Sequence, residues 1–132
     1  MKKLLLLSGL ILYSCSQPIQ NPKFENNVVL AKKWFELWEA EDIDGLSLMI
    51  SDKVEWQGAF YGQEPTKSKT EVIDYINGWI GAMENINYEP NGFLPGLDPD
   101  TNLPNGSVRT YGTWTGINTA SGKNFEVKLY HY

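Results

Sequence analysis

The sequence has little of the residue types that most often carry chemistry: its 132 residues include one cysteine, one histidine and one arginine. A single cysteine cannot form an intramolecular disulfide, so the core of the domain must supply its stability. The scarcity of cysteine and histidine leaves no ligand spacing typical of zinc, and no phosphate loop or dinucleotide fingerprint is present. We therefore expect no metal and no cofactor. The net charge of −5 repels phosphate backbones, which argues against binding to nucleic acid.

Long hydrophobic runs are absent too, except near the N-terminus, where apolar residues extend from Leu4 to Tyr13 behind two lysines. This run of about ten residues is half of the ~20 that a transmembrane helix needs, and it is typical of a secretory signal peptide. The letters LYSC at residues 12–15, where this run ends, resemble a bacterial lipobox. We predict a lipoprotein signal peptide over residues 1–14 and lipidation of Cys15, which would anchor the protein in the bacterial cell envelope, facing the periplasm. The alternative is an ordinary secretory signal with an incidental cysteine.

The rest of the chain has the length of one domain. Residues 15–26 are polar and contain two prolines, which predicts a tether that holds the domain away from the membrane. We place the domain at residues 27–132. The five tryptophans, five phenylalanines and seven tyrosines of the chain are enough to build an apolar core without cross-links.

Three segments show apolar residues at helical spacing. The first covers residues 28–41, with Asn26 or Asn27 as its candidate N-cap. The second is short and covers residues 42–50. The third covers residues 69–83, and the letters SKTE at its start have the spacing of a capping box. The sequence thus predicts three helices.

Apolar and polar residues alternate elsewhere, which predicts strands over residues 53–62, 86–97, 107–118 and 124–132, the second of them interrupted by prolines. Two helices, a strand, a helix and then a run of antiparallel strands make an α+β layout. We predict a cone-shaped, curved antiparallel sheet with three helices packed on its concave face, which together enclose a cavity.

Three stretches resemble the SnoaL-like branch of the nuclear transport factor 2-like superfamily: WFELWEAEDIDGLSLMISDKVEW, TKSKTEVIDYINGWI and GTWTGINTASGKNFEVKLYHY. They follow the element order of that branch over about residues 25–132, and the resemblance implies a fold more than a function. Members usually continue with a further closing strand. We therefore expect the last strand to be missing, as in a truncated chain. The alternative is a complete chain that pairs its sheet edge with a partner.

The last predicted strand has an apolar face, which alternation assigns to Phe125, Val127, Leu129 and His131. We expect this face to line the cavity. The resemblance implies an acid/base residue on this strand in SnoaL-like cyclases, at about the position of His131, which makes His131 the candidate catalytic residue. Two alternatives remain: a histidine hydrogen-bonded to a neighbouring tyrosine in the cavity wall, and a polar anchor for a ligand.

All five tryptophans fall on faces that the pattern turns inward. With two residues of the last strand they form the predicted lining of a pocket for a flat, apolar ligand: Trp34, Trp38, Trp56, Trp79, Trp114, Val127 and Leu129. The alternative is that these aromatic residues simply form the core. Arg109 and Tyr111 fall on the outer face of the sheet, and a slip of one residue would turn them into the cavity, where they could hold a carboxylate.

Residues 98–102 have the oxygen spacing of a calcium loop. Leu103 and Arg109, however, occupy the positions where an EF-hand has its glycine and its bidentate glutamate. The segment is therefore predicted to be a polar turn.

These observations predict an envelope lipoprotein whose SnoaL-like domain binds a small apolar molecule, without established catalysis, as a homodimer formed through the outer sheet face. One alternative is an acid/base isomerase, cyclase or dehydratase that uses His131 with a tyrosine. The other is a protein-interaction module, in which the tryptophans fill the cavity and the sheet surface binds a partner.

Overall fold

The computed structural model of the chain describes residues 21–59 and 61–132. The predicted signal peptide, the lipidation of Cys15 and the first part of the tether lie outside these residues. Three helices and three strands follow in the order α1 (Pro22–Glu39), α2 (Ile43–Met49), α3 (Lys69–Gly81), β1 (Met83–Leu97), β2 (Pro104–Asn118) and β3 (Lys123–His131). Among the described residues, no helix combines the length and the apolar character needed to cross a membrane.

The first helix begins at Pro22, earlier than the start at residue 28 that the sequence predicted. Asn21 is its N-cap, and the Asn21 side chain accepts a hydrogen bond from the backbone N–H of Lys23 at 3.0 Å. Proline suits the first helical position because its fixed φ fits the helix and its missing N–H would have no partner there. Residues 22–26, predicted as part of the tether, are therefore helical.

The other two helices lie where the sequence predicted them, and each begins at a capping side chain. Asp42 caps α2 by accepting a hydrogen bond from the backbone N–H of Gly45 at 2.8 Å. Ser68 caps α3 by accepting one from the backbone N–H of Glu71 at 3.3 Å. Both contacts satisfy N–H groups that have no partner inside the helix.

The strand predicted over residues 53–62 is wrong in the described part of that segment. Only Trp56 pairs there, in an isolated bridge with Thr66 whose two backbone hydrogen bonds measure 2.8 and 2.9 Å. The alternation in this segment has another cause, since Val54 and Trp56 both turn inward and pack against the core of the helices. The pattern reports burial on one side and does not by itself specify a sheet partner.

The strands form one antiparallel sheet in the order β1-β2-β3. The β2–β3 register is continuous from Thr110 opposite His131 to Asn118 opposite Lys123. The β1–β2 register shifts at three places, the middle one between Pro90 and Gly92. Such bulges bend a sheet and increase its twist, and the result is a curved, unclosed sheet. The predicted α+β class is confirmed, with helices on one face of an antiparallel sheet.

The core lies between the helices and the concave face of the sheet. Helices α1 and α3 pack on the sheet, and α2 packs against the other two helices. The buried cluster consists of apolar side chains from these helices and the turn after α2: Leu37, Trp38, Leu46, Ile50, Val72 and Ile76. Leu46 and Val72 are fully enclosed. Four tryptophans, Trp34, Trp56, Trp79 and Trp114, are partly buried against this cluster.

Candidate functional site

A hydrogen bond between two rings lies at the centre of the concave face. The indole Nε1–H of Trp114, on β2, donates to Nε2 of His131, on β3, at 3.0 Å. Because Nε2 accepts this bond, it carries no proton, and the neutral imidazole holds its proton on Nδ1. Among the described residues, Nδ1 makes no hydrogen bond. The structure thus places His131 on the inward face, as predicted, but its partner is a tryptophan where the sequence suggested a tyrosine.

Aromatic rings surround this imidazole. The ring centroids of Phe35 and Tyr88 lie 5.3 and 5.4 Å from that of His131, both in edge arrangements. Burial among them lowers the pKa of His131 from its ordinary value of 6.5, because the charged imidazolium loses its hydration. The group therefore stays neutral at neutral pH. Its catalytic role stays a prediction.

Tyr88 was not singled out by the sequence, yet it lies at the middle of this site. Its ring stacks on Phe35 at 3.9 Å, and its hydroxyl lies 3.3 Å from the Thr110 hydroxyl. Thr110 donates its own proton to the carbonyl of Gly92 at 2.8 Å, so Tyr88 must be the donor to Thr110. Burial raises the pKa of Tyr88 above its ordinary value of 10.0, because the charged phenolate would lose its hydration. Alternation with the buried Ile86 was the signal that could have identified Tyr88.

The five predicted pocket tryptophans lie in one connected aromatic cluster. Trp34 contacts Trp38 at 6.3 Å and Trp56 at 6.0 Å between ring centroids. Trp38 contacts Trp114 at 5.6 Å. Tyr75, on α3, links the remaining member, because its ring lies 6.2 Å from both Trp56 and Trp79. These distances are typical of edge-to-face aromatic pairs, so the rings occupy the space between the helices and the sheet.

Two indole groups of this cluster lack a hydrogen-bond acceptor among the described residues. They are Nε1 of Trp38 and Nε1 of Trp56, and both nitrogen atoms are buried. A buried donor without a partner costs about 1–3 kcal/mol, because it gives up water and gains nothing in return. Most buried polar groups in proteins are hydrogen-bonded, so an unpaired buried donor needs a physical explanation.

Open space lies elsewhere on the described surface. Two depressions of about 450 and 360 Å³ lie along the strands, one near Thr115 and Glu126 and the other near Tyr111 and Lys128. None of the five tryptophans lines either depression. Of the two β3 residues predicted to line the pocket, Val127 is 42% exposed and Leu129 is half-buried, and Leu129 borders the smaller depression.

Arg109 and Tyr111 lie on the outer face of the sheet. The neighbouring Thr110 is buried on the inner face, while Tyr111 is half-exposed with its ring 4.9 Å from that of Tyr130. The Arg109 guanidinium donates to the carbonyl of Pro95 at 2.8 and 3.2 Å, which ties β2 to β1. The alternative in which Arg109 points into the cavity is therefore wrong.

The segment with calcium-like oxygen spacing is a turn held by its own hydrogen bonds. One carboxylate oxygen of Asp98 accepts from the backbone N–H of Asp100 at 3.1 Å, and from the N–H and hydroxyl of Thr101 at 2.9 Å each. These bonds lower the pKa of Asp98. Within residues 21–59 and 61–132, no group of three or more acidic, histidine or cysteine side chains could hold a metal ion.

Comparison with known proteins adds information about the fold. No family model matches the chain, and no curated protein matches it in sequence. An NTF2-like protein of unknown function from Exiguobacterium sp. 255-15 superposes with a TM-score of 0.60 at 18% identity, over 76% of this chain and 80% of the other. The chain has an NTF2-like fold. A second NTF2-like neighbour, named "putative aromatic ring hydroxylase", comes from Novosphingobium aromaticivorans and superposes with a TM-score of 0.67 at 16% identity, over 84% of this chain and 78% of the other.

These two neighbours bear on architecture alone, since identities of 18% and 16% carry no information about chemistry. Within the NTF2-like fold, the aromatic cluster and the Trp114–His131 pair lie between the helices and the concave face of the sheet. That position is the concave side of the domain, where a small molecule has the most surface to contact.

Proposed function

We propose that the chain is an envelope lipoprotein whose NTF2-like domain, of the SnoaL-like branch, binds a small, flat, mostly apolar molecule, without established catalysis. The observation that carries the proposal is the pair of buried indole N–H groups on Trp38 and Trp56. A ligand with a carbonyl or ether oxygen would give such a donor its missing acceptor, and the surrounding rings would bury the rest of the ligand.

Trp34 is the side chain that would make room for this ligand. It is only partly buried, and its ring contacts both of the rings whose N–H groups lack acceptors. A change of the Trp34 rotamer would open space beside Trp38 and Trp56 without moving a helix. The proposal therefore describes a pocket that opens by rotation of one aromatic side chain.

The environment of His131 supports binding over catalysis. A general base needs a free nitrogen within reach of the substrate, but Nε2 of His131 is engaged by Trp114. Burial also disfavours the charged imidazolium, and the Nδ1–H of the neutral ring is too weak an acid to protonate a substrate. An isomerase, cyclase or dehydratase based on His131 would first have to break the Trp114 hydrogen bond.

The test compares two probes of one shape, fluorenone, which carries a carbonyl, and fluorene, which does not. Quenching of tryptophan fluorescence reports binding. We expect fluorenone to bind about three- to tenfold more tightly than fluorene, which is the difference in affinity that one hydrogen bond makes.

Trp38→Phe or Trp56→Phe should remove the preference for fluorenone. Trp114→Phe is the matched control, since its indole already has an acceptor, and it should keep the preference. Equal affinity for the two probes in the wild type would contradict the proposal.

Anchoring to the envelope is a separate part of the proposal and rests on residues 1–15 of the sequence. Expression of the full chain in a bacterium, followed by labelling with an alkyne-tagged fatty acid and detergent phase separation, tests it. We expect the wild type to take up the label and enter the detergent phase, and Cys15→Ser to do neither. Labelling of Cys15→Ser at the wild-type level would refute lipidation at this position.

A protein-interaction module is the second candidate, and the dense aromatic packing favours it. Rings at 5.6–6.3 Å from one another leave little free volume between the helices and the sheet. If neither fluorene nor fluorenone binds, this candidate replaces the first, and the accessible sheet becomes the functional surface.

A further inference from the structure

Besides the two indole groups, a third buried side-chain atom has no hydrogen-bond partner among the described residues, and it is an acceptor. This atom is Oε1 of Gln63. Gln63 is half-buried and lies in the irregular segment between Trp56 and Thr66, the two residues of the isolated bridge. An amide oxygen in such a place gives up water without gaining a donor, at a cost like that of an unpaired N–H. A ligand that carries only an acceptor leaves this oxygen unpaired.

The amide group of Gln63 lies on the same side of this segment as the indole of Trp56. A Cβ atom at position 58 would overlap that amide group, so the Gln63 side chain lies directly over Gly58. Burial alternates along residues 54–58, with Val54, Trp56 and Gly58 turned inward. Two residues of extended chain span about 6.6 Å. The Gln63 amide is therefore within about one side-chain length of Trp56.

The unpaired donor of Trp56 and the unpaired acceptor of Gln63 do not bond to each other, although each is what the other lacks. A group that bridges them must accept a hydrogen bond at one atom and donate one from a neighbouring atom. A cyclic amide has this pattern, because its ring holds C=O and N–H on the same side. The Trp34 ring, which lies 6.0 Å from that of Trp56, borders the same place and would have to rotate away.

We infer that the ligand is a flat lactam or a similar cyclic amide, whose carbonyl accepts from Nε1 of Trp56 and whose N–H donates to Oε1 of Gln63. The inference rests on the proposed function and names the chemical class of its ligand. Gln63 then distinguishes an amide from a ketone or an ether, because a ligand without an N–H leaves the glutamine oxygen unpaired. Gly58 belongs to the same arrangement, since a Cβ atom there would displace the Gln63 amide.

Phenanthridinone, a flat tricyclic lactam, and its N-methyl derivative test the inference in the full chain. Both probes carry the carbonyl, and only the first carries an N–H. Quenching of tryptophan fluorescence gives the two dissociation constants. We expect phenanthridinone to bind to the wild type more tightly by at least about threefold, which is the effect of one hydrogen bond. Because the methyl group also adds bulk, the decisive quantity is how the ratio of the two constants changes when Gln63 is replaced.

Gln63→Met keeps the length of the side chain and removes the amide oxygen, so the preference for the N–H probe should fall about three- to tenfold. Gly58→Ala should lower it as well, because the added Cβ displaces the Gln63 amide. Gln57→Met is the matched control. The exposed Gln57 side chain donates to the backbone carbonyl of Gln63 at 2.6 Å, so its loss disturbs the same segment and leaves Oε1 in place. This variant should keep the wild-type preference.

The outcomes separate this inference from the proposed function. An equal preference for the N–H probe in the wild type and in Gln63→Met would overturn the role of Gln63 and assign its oxygen to a bound water. That result would leave the preference for fluorenone over fluorene untouched, and with it the proposed pocket. Failure of phenanthridinone, its N-methyl derivative, fluorenone and fluorene to bind would overturn the pocket and the inference together.

Discussion

The indole N–H of Trp114 and Nε2 of His131 join β2 and β3 through a 3.0 Å hydrogen bond on the concave face of the sheet. The bond exists only while the imidazole is neutral, because protonation would turn Nε2 into a donor facing another donor. The charge state of the one histidine in the sequence is thereby coupled to the packing of the aromatic cluster.

Stability should consequently depend on pH through His131. Burial lowers the pKa of the folded imidazole below the ordinary value of 6.5 that applies in the unfolded chain. Between these two values the unfolded chain binds more protons, so the free energy of unfolding falls as the pH falls from above 6.5 toward the folded pKa. One proton limits the slope to about 1.4 kcal/mol per pH unit, and partial exposure of the ring makes it smaller.

Urea unfolding of the wild type and of His131→Gln between pH 7.5 and 5 measures this effect, with pH values chosen about the ordinary histidine pKa. The glutamine amide oxygen can accept the Trp114 hydrogen bond, but it does not titrate. We expect the wild type to lose more stability than the variant over this interval. Equal losses would assign the pH dependence to the carboxylates and leave no part for His131.

The sequence predicted the face on which His131 lies, but it could not identify the partner of His131. Alternation along residues 124–132 orients each side chain of one strand and contains no information about register between strands. The register follows from the hairpin turn, which places His131 opposite Thr110 and brings Trp114 within reach on the same face. A contact of this kind can be identified only from the structure, whereas the inward direction of the imidazole can be predicted from the sequence.

The errors at the helix start and at the predicted first strand have local causes. Hydrophobic periodicity begins near residue 28, so it missed the polar first turn of α1, which Asn21 and Pro22 specify. Alternation near Trp56 marks the buried side of an irregular segment. The sequence does not show whether such a segment has a strand to pair with, and within the described residues Trp56 forms only an isolated bridge with Thr66.

Replacement of Asn21 tests where α1 begins. Its side chain caps the helix at Lys23 and also donates to the carbonyl of Pro104 at 2.9 Å. Asn21→Ala should lower the free energy of unfolding by about 1–2 kcal/mol, because both bonds are lost. Asn26, a cap predicted from the sequence, is an exposed residue inside the helix, so Asn26→Ala should be neutral or slightly stabilising. The reverse order of the two effects in urea unfolding would place the helix start near residue 27.

Two leucines of α2 test which face of that helix belongs to the core. Leu46 is fully buried and Leu48 is 87% exposed, although they lie on the same short helix. Leu46→Ala should cost about 2–5 kcal/mol through lost burial and the cavity it leaves. Leu48→Ala should change stability by less than about 0.5 kcal/mol. Thermal and urea unfolding of the two variants measures the difference, and similar costs would mean that α2 packs through another face.

The close contact between Gly112 and Tyr88 leads to the last prediction. A Cβ atom at position 112 would overlap the Tyr88 ring, which lies directly over this buried glycine. Gly112→Ala should therefore displace the ring and its hydrogen bond to Thr110, at a cost of about 1–3 kcal/mol in the free energy of unfolding. Gly78→Ala is the matched control, since nothing lies within 4 Å of its Cβ position on α3. It should stabilise the protein by about 0.5–1 kcal/mol, because alanine favours the helix.

A double-mutant cycle tests whether overlap with the Tyr88 ring causes the cost of Gly112→Ala. If the ring is the cause, removal of the ring must relieve the cost, so Gly112→Ala in a Tyr88→Val background should be far less destabilising than in the wild type. A backbone cause, such as a lost strand conformation, would leave the cost of Gly112→Ala the same in both backgrounds. Urea unfolding of the four proteins in this cycle distinguishes the two, and additive effects would reject the contact between Gly112 and the Tyr88 ring as the reason for glycine at this position.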